Sequence, residues 1–361
     1  MVDYKKLRKI LSELPKKETN LHLNSKVLVV DGLNSFIRAF VTNPLLNDNG
    51  VHVGGIIGFF YTLGYAIKLI DPTRVVIVFD GPGGSVRRRE MYPDYKNRKA
   101  TAPRILNNNM YITKEDEDKA KTFQIKRLVK YLSCFPVQST IVKNIEADDA
   151  IAYYANNSFG EDSKCYIMST DKDYLQLISD RVIVYNPTSK VFYDKNRLKE
   201  DFNILAENFH IYKSLIGDNS DNIKGIKGAG YKTLNKRVPI LFGDKKITVD
   251  DIIEYVSKKF EQKDKKGKKL YNYKLYEHIL EEKEKLKLNV QLIQLHVPII
   301  KSSTIALLDV QLDAPINSLD RSQLYTCLYQ DRTAFGNFKN PDSWLSETFF
   351  KLEHFSKLNR Q

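Results

Sequence analysis

Val27-Leu28-Val29-Val30-Asp31-Gly32 and Val75-Val76-Ile77-Val78-Phe79-Asp80-Gly81 are near copies of each other, and reading them together decides the fold. Each is a short, wholly apolar run, the pattern of a strand buried on both faces of a parallel sheet. Each ends in aspartate and glycine. In open α/β sheets the ligand crevice lies beyond the carboxyl ends of the strands, so Asp31 and Asp80 are expected to be neighbours there. Between the two runs, residues 33–41 and 53–70 read as helices, giving a strand, helix, helix, strand crossover. Val137–Val142, Cys165–Met168 and Val182–Tyr185 read as three further strands.

The third strand delivers the chain to Asn144-Ile145-Glu146-Ala147-Asp148-Asp149-Ala150, three carboxylates within four positions. Like charges a few ångströms apart disfavour joint ionisation, so such a cluster is stable only when splayed into water or neutralised by a cation. The apolar run from Ala150 to Ala155 continues as a helix, placing the acids in a first turn where the dipole suits them. Taken alone, E-x-D-D reads equally well as a helix cap. The fourth strand ends in Ser169-Thr170-Asp171-Lys172-Asp173, where Asp171 and Asp173, two apart in extended chain, are expected to face the same side. A helix near 206–216 leads to Gly217-Asp218-Asn219-Ser220-Asp221. Nine carboxylates thus stand at strand ends or helix starts: Asp31, Asp80, Glu146, Asp148, Asp149, Asp171, Asp173, Asp218 and Asp221. Oxygen ligands without accompanying histidine or cysteine select Mg²⁺ or Mn²⁺ over zinc, and this many imply at least two ions. Two ions about 3.5–4 Å apart activate a water and stabilise the leaving oxygen of a phosphodiester. No serine-histidine or cysteine-histidine pair competes.

Lys+Arg number 57 against 44 Asp+Glu, a formal net charge of +13. With nine acids gathered in one place, the remaining surface is more basic than that total. Basic surface around a concentrated acidic site points to a polyanionic partner. A ribosome-bound or membrane-surface protein would share the charge and have no use for the acids. After Asp80, Gly81-Pro82-Gly83-Gly84 reads as a flexible turn and not a P-loop, because no G-K-[ST] follows. Arg87, Arg88, Arg89, Lys96, Arg98, Lys99 and Arg104 come next, interleaved with Tyr92, Tyr95 and Tyr111. A basic run is most often a solvated face, but this mixture beside an acidic site has the composition of a phosphate-chain holder. Thr113-Lys114-Glu115-Asp116 resembles a capping box opening a helix that runs to about Cys134. Gly225-Ile226-Lys227-Gly228-Ala229-Gly230, with Lys232, has the form of a helix-hairpin-helix turn. Its glycines permit positive φ and close approach, and the next helix's N–H groups can bind a phosphate.

The 361 residues allow two domains or one large domain with appendages. Cys134, Cys165 and Cys327 are widely spaced, with no C-x-x-C, and read as packing residues of a reducing compartment. Val53–Ile67 falls short of the roughly 20 apolar residues a bilayer needs, and the N-terminus lacks a signal h-region. A cytosolic location without membrane contact is therefore expected. Residues 3–14 have the spacing of a docking helix. The lysine tract 257–287 reads as a flexible loop or a charged helical pair, an excursion from the domain. Asn289–Pro298 alternates in apolar character, and 318–357 look helical with Trp344, Phe349 and Phe350 as packing anchors.

Asp31 after a first strand, Phe79-Asp80-Gly81, the Arg88–Lys96 stretch ending Tyr92-Pro93-Asp94-Tyr95-Lys96, E-A-D-D, S-T-D-K-D and G-D-N-S-D-N-I-K-G-I-K-G-A-G occur in one order. In that order they resemble the flap endonuclease or 5′→3′ exonuclease family. The similarity is greatest to the small bacteriophage enzymes, including the phage ribonuclease H type, and to the 5′-nuclease domain of bacterial DNA polymerase I. It covers roughly residues 26–235. The resemblance implies an α/β, PIN-like parallel-sheet core with a helical arch and a helix-hairpin-helix subdomain. The implied division is an N-terminal helical extension at 1–25, a nuclease core at 26–205 with its arch at about 84–115, a DNA-binding subdomain at 206–300 carrying the lysine-rich insertion 257–287, and a helical tail at 301–361.

Carried onto matching positions, Asp31, Asp80, Glu146 and Asp148 would hold one metal and Asp171, Asp173, Asp218 and Asp221 the second, with Asp149 in support. Arg88 and Lys96 would contact the scissile phosphate. Arg87, Arg98, Gly225, Gly228, Gly230 and Lys232 would bind DNA, with K⁺ completing the helix-hairpin-helix site. The implied activity is Mg²⁺-dependent release of 5′ flaps or short RNA/DNA pieces from DNA bearing a flap, nick or RNA primer, during replication or repair. A monomer in the cytoplasm is expected, or in the host cytoplasm for a phage protein, with a single-strand-binding or other replication protein as partner. Two competing readings are a PIN-type endoribonuclease, disfavoured by a turn that reads duplex backbone, and a catalytically inactive DNA-binding relative, disfavoured by the complete carboxylate set. The asparagines at 107–109, the lysine tract and the chain beyond 300 have no counterpart in the family pattern.

Overall fold

The parity of side chains along the buried strands explains why these runs carry no polar alternation. In the computed structural model, which describes residues 22–97, 110–111, 113–333 and 341–358, β1 (Lys26–Asp31) sends Val27 and Val29 to one face and Leu28 and Val30 to the other. β2 (Arg74–Phe79) repeats this with Val76 and Val78 against Val75 and Ile77. In β4 (Lys164–Met168), Cys165 and Ile167 oppose Tyr166 and Met168. Successive side chains point to opposite faces of a sheet, so each parity feeds its own core and both faces must be covered. The result is three layers.

β3 (Gln138–Ile141), β5 (Val182–Asn186) and β6 (Val191–Tyr193) complete a six-stranded sheet of order β3-β2-β1-β4-β5-β6. Strands β1 to β5 are parallel, and β6 returns antiparallel on β5. Val30 lies opposite Ile77 on one side and Met168 on the other, so the ends of β2, β1 and β4 stand side by side. The strand order reverses between β1 and β4, the switch point at which open α/β sheets bind ligands.

Helices Gly32–Thr42, Gly54–Ile70 and Lys114–Leu132 cover one face, and helices Ala147–Tyr153 and Ala206–Ile216 cover the other. The second core runs from Val27 to Leu312 and takes in Ile226 and Leu234, so the glycine-rich turn shares the core of that face, with the Ile226 N–H on the Leu215 carbonyl at 2.7 Å. All three cysteines are buried and free.

Several expectations change. The strand Val191–Tyr193 was not foreseen. Gly81-Pro82-Gly83-Gly84 is not loose: a Cβ on Gly81 would lie 1.6 Å from the Val142 carbonyl oxygen, and one on Gly84 2.7 Å from that of Ile145. The tract 257–287 is ordered as the end of helix Val249–Glu261, a short hairpin, and helices Lys274–Glu281 and Lys283–Ile293. Asn289 to Ile293, read only as alternating in apolar character, is the end of that last helix. Trp344 and Phe349 are core residues, but Phe350 is 75% exposed. The chain after 300 packs on the sheet edge, where Gln138 donates to the carbonyls of Leu312 and Ala314 at 2.8 Å each. Residues 3–14, Arg98, Lys99, Arg104 and the asparagines 107–109 lie outside the described residues. Among those described, no helix is long and apolar enough to cross a membrane.

Candidate active site

Asp31 closes β1 and opens the helix Gly32–Thr42, and its carboxylate accepts the Asn34 N–H at 3.0 Å. It also accepts the hydroxyls of Ser169 at 3.2 Å and Tyr174 at 3.1 Å, which ties the end of β1 to the end of β4. Asp80 follows β2 and accepts the Ala147 N–H at 2.8 Å, drawing the first turn of the acidic helix to the sheet. Gly81 permits that approach, as its contact with Val142 shows. Asp171 caps the short 3₁₀ helix Lys172–Leu177 through the Asp173 N–H at 2.9 Å. β7 (Gly217–Asp218) and β8 (Ile223–Lys224) form a hairpin that brings in Asp218 and Asp221. Gly217 has φ 80°, and a Cβ there would meet the Gly225 nitrogen at 2.3 Å.

Asp31, Asp80, Asp148, Asp171 and Asp221, with Lys96, line one cavity of about 380 Å³ at these strand ends. The other four expected acids stand behind this wall, each paired with a cation of the protein. Glu146 is held between Arg88 and Lys96. Asp149 takes Arg88 at 2.7 and 2.9 Å. Asp173 and Asp218 share the Lys213 ammonium at 2.9 and 2.6 Å. The expectation that Asp171 and Asp173 face the same side fails because the chain turns into a 3₁₀ helix at Asp171, sending Asp173 toward Lys213.

Burial raises acids of both groups: behind the wall it lifts Asp149 to about 6 and Asp173 to about 8, whereas Lys213 and Ser220 hold Asp218 down against it. Burial pushes Asp31 up to about 7, opposed by the Asn34 hydrogen bond and reinforced by Asp80 and Asp171. Burial also raises Asp221 to about 6 against the pull of Lys96, and it raises Asp80 and Asp171. Among the cavity acids Asp148 is the exception: burial works against it, but Arg88 and Lys96 prevail and hold it below the usual carboxylate range. Most of the cavity wall is thus short of positive charge. The lining residues include no histidine or cysteine, and Glu146, Asp148 and Asp149 can offer oxygens all within 4.8 Å of one another. Such a donor set fits hard divalent cations.

Arg88 departs from its expected role. It is 2% exposed, donates to the Leu292 carbonyl at 2.9 Å and is otherwise committed to Glu146 and Asp149. It does not line the cavity. Lys96 lines the cavity, sits 5.2 Å over the Tyr95 ring and bonds Glu146. Its φ is 54°, and its own N–H binds the Asp221 carbonyl at 2.9 Å. Arg87 comes only within 3.9 Å of Asp149. The interleaved tyrosines pack instead of offering stacking faces. Tyr95 is 1% exposed with its hydroxyl on Glu146 and Asp221, and the Tyr111 hydroxyl meets a ring nitrogen of His52 at 2.9 Å.

Sequence reading missed Lys213 and Arg38. Lys213 lies in the last turn of its helix, where a cation can reach past the C-terminus to Asp218, and that spacing was legible. Arg38 follows Asp31 and Asn34 on one helical face, so it had to point to the same cavity, where it approaches the Thr170 hydroxyl at 3.5 Å. In the glycine-rich turn, Gly225 is a packing residue, its missing Cβ 2.3 Å from the Ile216 carbonyl. Gly228, with φ 85°, and Gly230 would each present a Cβ to open space, and Lys232 is exposed.

A model of the 5′-3′ exonuclease N-terminal resolvase-like domain matches residues 26–203. A 5′-3′ exonuclease of Bacillus subtilis (strain 168) is 30% identical over 224 residues, 60% of this chain and 70% of that protein. A 5′-3′ exonuclease of Aquifex aeolicus is 34% identical over 206 residues, 57% of this chain and 66% of its own length. DNA polymerase I of B. subtilis is 30% identical over 243 residues, 66% of this chain but 26% of the polymerase. The chain thus spans just under two thirds of the Aquifex protein and about a quarter of the polymerase. Among solved structures, T5 5′-exonuclease with divalent zinc ions bound superposes with a TM-score of 0.59 at 20% identity, covering 80% of this chain and 98% of that one. Flap endonuclease-1 from Methanococcus jannaschii gives 0.50 at 16% identity, covering 94% and 95%. These likenesses establish the PIN-like α/β fold.

Proposed function

The chain belongs to the 5′-3′ exonuclease family, and from that premise we propose that it is a structure-specific 5′ nuclease, both exonuclease and flap endonuclease, cutting phosphodiesters of DNA or RNA/DNA in replication or repair. The observation that carries this is a single cavity at the sheet's switch point lined by five carboxylates and one lysine. Asp31, Asp80, Asp148, Asp171 and Asp221 would hold two or more Mg²⁺ ions, for which Mn²⁺ would substitute. Glu146, Asp173 and Asp218 would join where a divalent ion takes the place of Lys96 or Lys213 at their oxygens. Such ions supply a water activated at neutral pH and neutralise charge at the scissile phosphate. Lys96, released toward the cavity, places its ammonium where charge develops. Arg38 offers a second cation on the same wall. Arg88 holds Glu146 and Asp149 in place from behind.

The substrate would be DNA with a 5′ flap, a nick or an RNA primer. The open backbone at Gly228 and Gly230, with Lys232 beside it, would approach the duplex phosphates, with K⁺ bound there. In this reading 26–205 form the nuclease core and 206–300 the duplex-holding subdomain, and the protein works as a monomer alongside single-strand-binding or other replication proteins. The test is incubation with Mg²⁺ and 5′-labelled flap, nicked, RNA-primed and single-stranded substrates, sized on a gel. Short 5′ products from flap, nick and primer, abolished by EDTA, are expected. Cleavage confined to structured RNA would replace this reading with an endoribonuclease, and cleavage of nothing would leave a DNA-binding relative.

A further inference from the structure

Residues 262–270, between helices Val249–Glu261 and Lys274–Glu281, fold back as a hairpin with Lys263 bridged to Lys269. The Asp264 N–H donates to the Lys268 carbonyl at 2.8 Å and the Leu270 N–H to that of Gln262 at 2.9 Å. Gly267 makes the turn with φ 79°. The Asp264 carboxylate accepts the N–H groups of Lys266 and Lys268 at 2.8 and 2.9 Å, so the one acid of the hairpin shapes its backbone. Lys263, Lys265, Lys266, Lys268 and Lys269 are all exposed. Nearby ion pairs bypass them: Lys258 takes Glu254, Lys285 takes Glu282 and Lys287 takes Asp250. Five like charges on seven ordered residues repel one another, and no acid among the described residues pairs with them. Such an arrangement suits a polyanion laid across it.

The hairpin is also clamped beside the glycine-rich turn. Tyr273, just past its base, lies 3.5 Å beneath the Arg237 guanidinium, and the Tyr276 hydroxyl donates to the Arg237 carbonyl at 2.6 Å. A ring nitrogen of His278 meets the Lys227 carbonyl at 2.9 Å, and Lys285 donates to that of Gly225 at 2.9 Å. Lys269 sits 3.4 Å over the Phe260 ring and Lys259 4.8 Å over that of Tyr271, which steadies the base. The Arg237–Tyr273 contact joins the base of the hairpin to the end of the helix Tyr231–Arg237, whose first turn carries Lys232.

We propose that the hairpin 263–269 is a second clamp on the phosphate backbone of duplex nucleic acid, continuing the contact made at the glycine-rich turn. This rests on the nuclease reading above. The test uses the full chain in EDTA, with fluorescence anisotropy on labelled duplexes of about 8 and about 24 base pairs and on a single strand, across a salt series. Wild-type protein should bind the long duplex with the steeper log-log salt slope. Lys265→Ser/Lys266→Ser/Lys268→Ser should lower that slope by about 2.7, three contacts at about 0.9 each, and change the short duplex and single strand little. The matching triple arginine variant should keep the wild-type slope, which separates lost charge from a disturbed hairpin. An unchanged slope in the serine variant overturns the clamp, as does an equal loss on single strands. Flap cleavage by wild type is scored in parallel. A wild type that cuts flaps and binds duplex while the serine slope is unmoved refutes the clamp alone, whereas one that does neither refutes the nuclease reading with it.

Discussion

The acidic cavity and the basic surface formed by the glycine-rich turn and hairpin are built on opposite plans. The cavity acids sit at strand ends, a helix start and a hairpin turn, each tied to backbone or hydroxyl groups, and burial leaves all of them but Asp148 raised. The basic side chains are exposed, and what is held in place around them is the backbone and a set of aromatic rings. Charge that performs chemistry is placed by the core and is intolerant of change. Charge that grips a polyanion needs only the right neighbourhood, so its losses should be graded. The largest effect is therefore expected at Asp171. Asp171→Asn should slow single-turnover cleavage by more than the roughly 10²–10³ associated with one lost charge-stabilising donor. Because it relieves repulsion with Asp148 and Asp218, the variant should melt no lower than wild type in EDTA. Near-normal cleavage would remove Asp171 from the machinery.

Arg88 tests whether the cations behind the wall are structural. Replacing it by methionine leaves Glu146 and Asp149 buried without their partner, which typically costs about 3–5 kcal/mol. Urea unfolding should register that loss, whereas Lys232→Ala should leave stability alone. A stable Arg88→Met protein that fails only in catalysis would return Arg88 to the phosphate. Lys96 lies on the cavity side of the same network. Lys96→Ala should cost roughly 10²–10³ in single-turnover rate with much less effect on duplex affinity. Equal losses in binding and rate would make Lys96 part of the gripping surface.

The displaced carboxylates also set a pH dependence. Asp31 titrates near 7 in the folded protein and near 3.9 in the unfolded chain, so between those values the folded state holds more protons. Stability contributed by this group is complete below about pH 4 and declines as pH rises toward 7, and Asp221 adds the same sign up to about 6. The metal-free protein should therefore melt at progressively lower temperature from pH 5 to 7.5, and Mg²⁺ should recover most of the loss at the upper end. A melting temperature that rises over this range in EDTA would mean that the protein's own cations already balance the cavity.

The same contrast accounts for what was legible in the sequence. The apolar runs ending in aspartate specified the sheet and its crevice, because strand parity and burial leave few arrangements for Val27–Asp31 and Val75–Asp80. Which acids face the cavity was not legible. It depends on a 3₁₀ turn at Asp171, on Lys213 reaching Asp173 and on Arg88 reaching Glu146 and Asp149 from other elements, and no local pattern encodes such contacts. Tyr95 and Tyr111 misled for a related reason: composition describes a segment, whereas burial is decided by what Ile223, Leu292 and Phe40 bring to it. The lysine tract left a flexible loop and a charged helical pair both open because its apolar positions, Leu275, Ile279 and Leu286, are spaced among charges.

The smallest predicted effect lies at the glycine-rich turn, and it bears most directly on the graded character of the basic surface. Gly230 has φ −78°, which any residue adopts, and a Cβ there meets nothing within 4 Å, so Gly230→Val should fold normally. Its added bulk points into space that a duplex phosphate would take. Binding to nicked or flapped duplex should weaken, with the log-log salt slope reduced by about 0.9 for one lost contact, about a third of the change expected at the hairpin. Lys232→Ala should act more mildly, and cleavage of short single strands should change little in either variant. Wild-type affinity and slope in both would make the turn a connection between helices and leave the hairpin as the principal grip. A loss exceeding that of the hairpin variant would invert the order and make the turn the dominant anchor.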